Sequence, residues 1–258
     1  DAGNVVSGWL TDYISKGSWG IEKASDIALL AKKDKSLKLL VDGLGLSYRL
    51  YSDNPLDEIG SDCSELYSRL LAFKYGAIGT LQELIDEQFE ALTQNGSSLA
   101  ALRRKIKGLL ETESVDQLLE SLASLASMLG IENDEASTSA VRSIYYNETI
   151  KKQFMALDDD ELQVMTLHKS KGLEFKVVFH FDLEEWSFPY REYVPGDWDN
   201  PVYPSLTQDT NLHYVGITRA ENCCCLIRVS QRQKAQGDFS PARPSYFLQL
   251  PQLEGLYK

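Results

Sequence analysis

The residues best equipped for chemistry fall in two short stretches. Residues 164–178 read VMTLHKSKGLEFKVV, and residues 212–220 read LHYVGITRA. The first places Thr166, His168, Lys169, Ser170, Lys171, Gly172 and Glu174 between two apolar runs. A strand-end threonine hydroxyl and loop amides suit a phosphate oxygen, and an imidazole can donate to phosphate or stack on a base. Lys169 and Lys171 add local positive charge, and Gly172 permits a tight turn. The second stretch ends on Arg219, whose planar, permanently charged fork no lysine reproduces.

Both stretches need elements to hold them. VMTL and KVVFHF are short apolar runs of strand type. LHYVGIT reads as a β-rich run feeding a polar loop, and CCCLI follows as another apolar run. Upstream, an amphipathic helix with Val5, Val6, Trp9, Leu10, Tyr13 and Ile14 precedes the breaker KGSWG. Residues 27–31 then read as a strand buried on both faces. A helix carrying Leu37, Leu40, Val41 and Leu44 follows, and residues 46–51 return as a strand. This βαβ unit predicts a parallel sheet with a right-handed crossover. Residues 55–158 read as helices. Thr80 and Glu83 suggest a capping box for Leu81, Leu84, Ile85, Phe89 and Leu92, and Ser114 and Gln117 open another helix. Residues 130–139 read as a polar loop, followed by one helix over 140–157. Residues 182–209 read as a long irregular connection.

The two stretches resemble motifs V and VI of superfamily 1 helicases of the UvrD/Rep family. T-x-H-x-x-K-G-L-E-F is matched by Thr166, His168, Lys171, Gly172, Leu173, Glu174 and Phe175. Y-V-x-x-T-R-A is matched by Tyr214, Val215, Thr218, Arg219 and Ala220. The resemblance implies an α/β fold with a RecA-like parallel sheet flanked by helices and an inserted all-helical subdomain. Residues 1–75 and 159–258 would form the sheet domain (2A), and residues 76–158 the insertion (2B-like). It implies the C-terminal half of an ATP-dependent DNA helicase. Arg219 would be the arginine finger, and Glu174, Lys32 and Gly172 would contact ATP. Thr166, His168, Lys169 and Lys171 would contact single-stranded DNA.

The sequence departs from the family where an aromatic and an Arg normally close the first strand, for here they are Ala31 and Lys32. Lys32 keeps the charge without the fork, and Ala31 cannot stack. The run before motif VI, usually acidic and Arg-rich, is TQDTN. No G-x-x-x-x-G-K-[ST] occurs in this sequence, so a nucleotide-binding loop must come from a partner half. ATP and Mg²⁺ are expected in the intact protein and neither with this stretch alone. The expected partners are single-stranded DNA and the N-terminal half carrying Walker A.

Composition sets bounds. The net charge of −12 and pI near 4.8 oppose nonspecific coating of duplex DNA, while leaving room for a local track. The cluster Arg103, Arg104, Lys105 and Lys107 reads either as a DNA patch or as a solvated helix face. Cys223, Cys224 and Cys225 fit neither a disulfide framework nor a zinc pattern and read as small apolar residues of a central strand. Asp182, Glu184 and Glu185 imitate a Walker B strand end, yet no metal site is expected. No apolar run would span a bilayer, and no secretory signal opens the chain, so a cytoplasmic protein with no membrane partner is expected. The alternative reading is a catalytically inactive, helicase-like interaction module. A helicase–nuclease subunit would need a further nuclease domain.

Overall fold

Alternation within five short apolar segments decides the architecture. In a strand, successive side chains point to opposite faces. Ile27, Leu29, Leu162, Val164, Val177 and Phe179 therefore share one buried cluster, and Ala28, Leu30, Met165 and Val178 share another. A sheet so buried on both faces must be covered on both. The computed structural model describes residues 2–88, 96–196, 200–233 and 238–251. It divides into two units, residues 1–51 with 158–258, and Ser52–Leu157.

In the sheet unit the elements are α1 (Ala2–Lys16), β1 (Ile27–Ala31), α2 (Asp34–Val41) and β2 (Tyr48–Tyr51). After the helical unit come β3 (Leu162–Thr166), β4 (Phe175–His180), α10 (Leu206–Thr218), β5 (Ala220–Leu226), β6 (Gln231–Gln233) and β7 (Phe239–Pro241). The sheet order is β2-β3-β1-β4-β5 and every pair is parallel. The expected parallel sheet is present. β1 and β2 are not neighbours, because β3 enters the slot between them. Val6 and Leu10 of α1 and Leu37 and Leu40 of α2 cover one face. Phe188, Phe247 and the partly buried Leu206 and Leu212 cover the other. Each such side chain contributes roughly 1.5–3 kcal/mol when fully buried. The register of β4 on β5 shifts between Phe175 and Val177. The extra residue lies in β5, between Ala220 and Cys223, and Phe175 joins the cluster opposite that of Val177.

The helical unit runs α3 (Pro55–Ile59), α4 (Asp62–Tyr75), α5 (Leu81–Gln88), α6 (Gly96–Leu109), α7 (Val115–Met128), α8 (Glu135–Tyr146) and α9 (Glu148–Lys152). Polar caps set its boundaries. Asn54 caps Leu56 N with Pro55 in the first turn, and Ser114 and Gln117, which open α7 as expected, form a reciprocal capping box. Thr80 accepts from Glu83 N. Phe89 and Leu92 lie outside the described residues. The apolar stripes, including Leu66, Leu70, Leu84, Ile106, Leu118 and Leu122, meet in one core.

Several expectations need correction. The compact helical unit begins at Ser52 rather than at residue 76, because Leu56, Leu66, Tyr67 and Leu70 of α3 and α4 bury in the helical core. The presumed loop 130–139 ends at Asp134, whose carboxylate accepts from Ser137 N at 2.6 Å and starts α8. The single helix over 140–157 is two, since Asn147 caps a new start. LHYVGIT is helical within α10. Its β-branched residues are overridden by burial of Asp209, His213 and Gly216 at helical spacing. TQDTN belongs to the same helix. β5 is an edge strand rather than central, and its cysteines are half-buried free thiols. Cys223 and Cys225 do face one cluster and Cys224 the other. Toward the end of the chain, Phe247 enters a face core. β6 and β7 form a separate antiparallel ribbon. Among the described residues no helix is long and apolar enough to cross a membrane.

Candidate functional site

The polar turn begins where β3 ends. Leu167 N donates to Ala31 O at 2.9 Å, prolonging the sheet by one residue. The chain then winds through successive tight turns. Ser170 N donates to Thr166 O, Lys171 N to His168 O, and Leu173 N to Ser170 O. Ser170 is fully buried and its hydroxyl donates to Leu167 O at 2.9 Å. Thr166 is only 7% exposed, and its hydroxyl faces the Lys169 amide at 3.4 Å. Thr166 therefore shapes the turn from below. His168 and Lys171 stand exposed and Lys169 is partly so. Gly172 has φ +84°, the left-handed conformation that glycine adopts without strain.

The turn carries the chain from one rim of the sheet to the other. Thr166 is level with Ala31 at the carboxyl ends of the strands. Val177 is level with Ile27, so Phe175 begins at the amino ends. Six strand positions at about 3.3 Å each separate the two by about 20 Å. Glu174 precedes Phe175, and its exposed carboxylate has no partner among the described residues.

Arg219 joins Glu174 at that amino-end rim. It caps the C-terminus of α10, where a cation is favoured. Its carbonyl accepts from Phe175 N at 2.9 Å. The guanidinium is oriented by three hydrogen bonds: Nε to Val215 O at 3.1 Å, Nη1 to Leu173 O at 2.9 Å and Nη2 to Thr218 Oγ1 at 3.2 Å. A guanidinium has five N–H groups, so two have no protein acceptor among the described residues. Nearby in sequence, Leu173 (43% exposed), Tyr214 (67%) and Ile217 (37%) are exposed apolar residues.

Lys32 does not join this group. It lies at the carboxyl-end rim, where its Nζ pairs with Asp209 Oδ1 at 2.7 Å and sits 4.9 Å over the Phe188 ring. The expected set of Glu174, Gly172 and Lys32 is thus divided, because Lys32 ends β1 and is held by the buried acid. Ala31 is 1% exposed. Asp209 also accepts from Tyr190 N and Ser205 Oγ. Its signal was an acid at helical spacing from His213 and Gly216.

The acids after β4 are structural. Asp182 accepts from the Lys32 and Lys33 amides, although burial raises its pKa above the usual carboxylate range. Glu184 accepts from Val229 N at 2.8 Å, and burial pushes its carboxyl up to about 7. Among the described residues no cluster of three or more His, Cys, Asp or Glu could hold a metal. In the helical unit, Arg103, Arg104 and Lys107 line one face of α6 beside Leu99 and Ala100. Arg103 donates to Gln82, and Lys105 turns to Ser124.

A five-stranded parallel sheet flanked by helices, with a polar turn crossing between its rims, is a RecA-like α/β domain. Residues 59–231, more than half of the chain, match the family of the UvrD-like helicase C-terminal domain, and the chain belongs to that family. It is similar to the ATP-dependent DNA helicase Rep of Escherichia coli (strain K12), 28% identical over 144 residues, 55% of this chain and 20% of that protein. Rep of Buchnera aphidicola subsp. Baizongia pistaciae is 38% identical over 105 residues, 40% of this chain and 15% of that protein. The ATP-dependent DNA helicase PcrA of Bacillus subtilis (strain 168) is 40% identical over 73 residues, 28% and 9% of the two chains. The match to Rep thus covers one fifth of that relative's length.

Proposed function

We propose that this chain is the second RecA-like domain of an ATP-dependent DNA helicase or translocase. It completes a nucleotide site whose phosphate-binding loop lies in a partner half. The observation that carries this reading is the anchoring of Arg219 to Leu173 O beside Glu174, which has no partner among the described residues, with two guanidinium N–H groups lacking an acceptor there. A fork held in advance suits charge developing on phosphoryl oxygens. Glu174 suits a ribose hydroxyl, and Gly172 lets the turn approach. Leu173, Tyr214 and Ile217 suit the docking of the nucleotide-binding half around that fork. ATP would be the substrate of the joined protein. Mg²⁺ would be held by acids of the other half.

His168, Lys169 and Lys171 would touch single-stranded DNA, with Thr166 shaping the turn that presents them. Ligand-driven closure of the two halves would then move this turn along the strand. Lys32 is left to Asp209 in this scheme. A cytoplasmic protein and a 2B-like role for the helical unit complete the proposal.

The test is Arg219→Ala in the joined protein. DNA-stimulated ATP turnover should fall by about 10³-fold or more, with single-stranded DNA affinity retained. Turnover near wild type overturns the finger role. A second reading, an inactive interaction module, is favoured by Ala31 and the engaged Lys32, which leave β1 with neither a stacking aromatic nor a free fork. It predicts no DNA-stimulated turnover when this chain meets a competent nucleotide-binding half.

A further inference from the structure

The inner side of α10 carries a polar contact that the proposed chemistry does not use. His180, at the end of β4, has no exposure, and His213 of α10 is 8% exposed. His180 Nδ1 lies 2.9 Å from Phe181 O. A carbonyl only accepts, so Nδ1 carries the proton and Nε2 is a bare acceptor. His213 Nδ1 lies 3.0 Å from that Nε2 and must be the donor. One backbone carbonyl thereby sets both tautomers. Burial lowers the pKa of His180 to about 3 and that of His213 to about 4, which keeps the pair neutral near pH 7.

Neither ring is free to turn. His213 stacks on Phe247 with ring centres 4.4 Å apart and planes 6° from parallel. The His180 ring lies 5.9 Å from that of Phe188. Three residues past His213, Gly216 permits the close approach. A Cβ there would come 2.5 Å from Leu167 Cδ2 and 2.9 Å from His180 Cδ2.

These contacts pin α10 at three levels. Asp209 holds its start to Lys32, His213 holds its middle to His180, and Arg219 holds its end to Leu173 O. The helix also meets both ends of the polar turn, Leu167 through Gly216 and Leu173 through Arg219. We infer that the His213–His180 hydrogen bond is a positioning device for Arg219. It sets the rotation of α10 about its axis and so brings the fork to rest on Leu173 O. The two histidines are positioning residues and touch no substrate. The geometric part stands alone, and its consequence for turnover rests on the proposed finger.

The geometric part is tested on this chain by nuclear magnetic resonance. In the unsubstituted protein at pH 7, nitrogen shifts should report both histidines neutral and protonated at Nδ1. An Nε2-protonated tautomer at His180 overturns the inference without any variant. His213→Leu removes the donor, whereas His213→Asn keeps a donor at the same branch position. His213→Leu should speed hydrogen exchange at the amides of Val215 to Arg219 and at Arg219 Nε about tenfold. Amides of β1 and β3 should be unchanged, and His213→Asn should restore protection. Unchanged exchange at Arg219 in His213→Leu, or exchange in His213→Asn as fast as in His213→Leu, overturns it.

In the joined protein, His213→Leu should lower kcat for ATP about tenfold with little change in KM. Wild-type turnover in His213→Leu, where Arg219→Ala is dead, overturns the positioning role alone. Turnover surviving Arg219→Ala removes the proposed function, and the exchange result still decides the geometry.

Discussion

At the scale of single residues, exposure sorts the polar turn into two jobs. Thr166 and Ser170 are buried and bonded within the turn. His168 and Lys171 face outward. A lysine contact to phosphate acts through counterion release and carries no base preference. Lys171→Ala should therefore weaken single-stranded DNA binding equally for different sequences. It should also lower the slope of log affinity against log salt by about 0.7. Titration across a salt series checks this, and an unchanged slope removes Lys171 from the contact. The residue types of the turn were legible in the sequence, as was their setting between two strands. Which of them reach solvent was not, because burial of Thr166 and Ser170 depends on how the chain recrosses the sheet.

At the scale of elements, α10 is decided by close approach. Gly216 is needed because Leu167 and His180 occupy the space a methyl would take. Gly216→Ala gains about 1 kcal/mol of helix propensity and loses about 1–3 kcal/mol to overpacking against a fixed ring, so the net effect is destabilising. Gly8, exposed in α1, has nothing within 4 Å of an added Cβ. There the same substitution should stabilise by about 1 kcal/mol. Denaturant unfolding of the two variants should show opposite signs, and equal effects would refute the close-approach argument. The strand-like reading of LHYVGIT failed here. Tyr, Val, Ile and Thr favour strands locally, yet Asp209, His213 and Gly216 bury on one helical face. Caps were more legible, since Ser114 with Gln117 and Thr80 before Glu83 act within four residues. Asp134 and Asn147 use the same chemistry, within stretches whose composition reads as a loop and as one continuous helix.

At the scale of the whole molecule, buried titratable groups give stability a defined pH dependence. The unfolded histidines titrate near 6.5. His180 and His213 are depressed to about 3 and 4 by burial. Their contribution is full above about pH 6.5 and is lost as pH falls toward the folded values. Glu184 works in the opposite sense. Its folded value is raised from 4.5 to about 7 by burial, so its contribution is full below 4.5 and lost as pH rises through 7. The melting temperature should fall from pH 6.5 to pH 4. Glu184→Gln keeps an acceptor for Val229 N and removes the buried charge. It should stabilise by up to about 3 kcal/mol at pH 8 and little at pH 4.5. Equal effects at both pH values would sink the assignment.

The α/β class, the five segments that pair in the parallel sheet, the helical stretch among them and the two motifs were determined by the sequence. Each rests on periodicity or spacing within a dozen residues, where backbone geometry alone relates neighbours. Only the tertiary structure decided that β3 separates β2 from β1 and that β5 lies at the edge. It also placed Lys32 with Asp209 at one rim and Arg219 with Glu174 at the other, and it brought His180 against His213. Those pairings join residues 33 to 177 positions apart. No local pattern encodes them, because they are set by which faces must be covered once the sheet has formed.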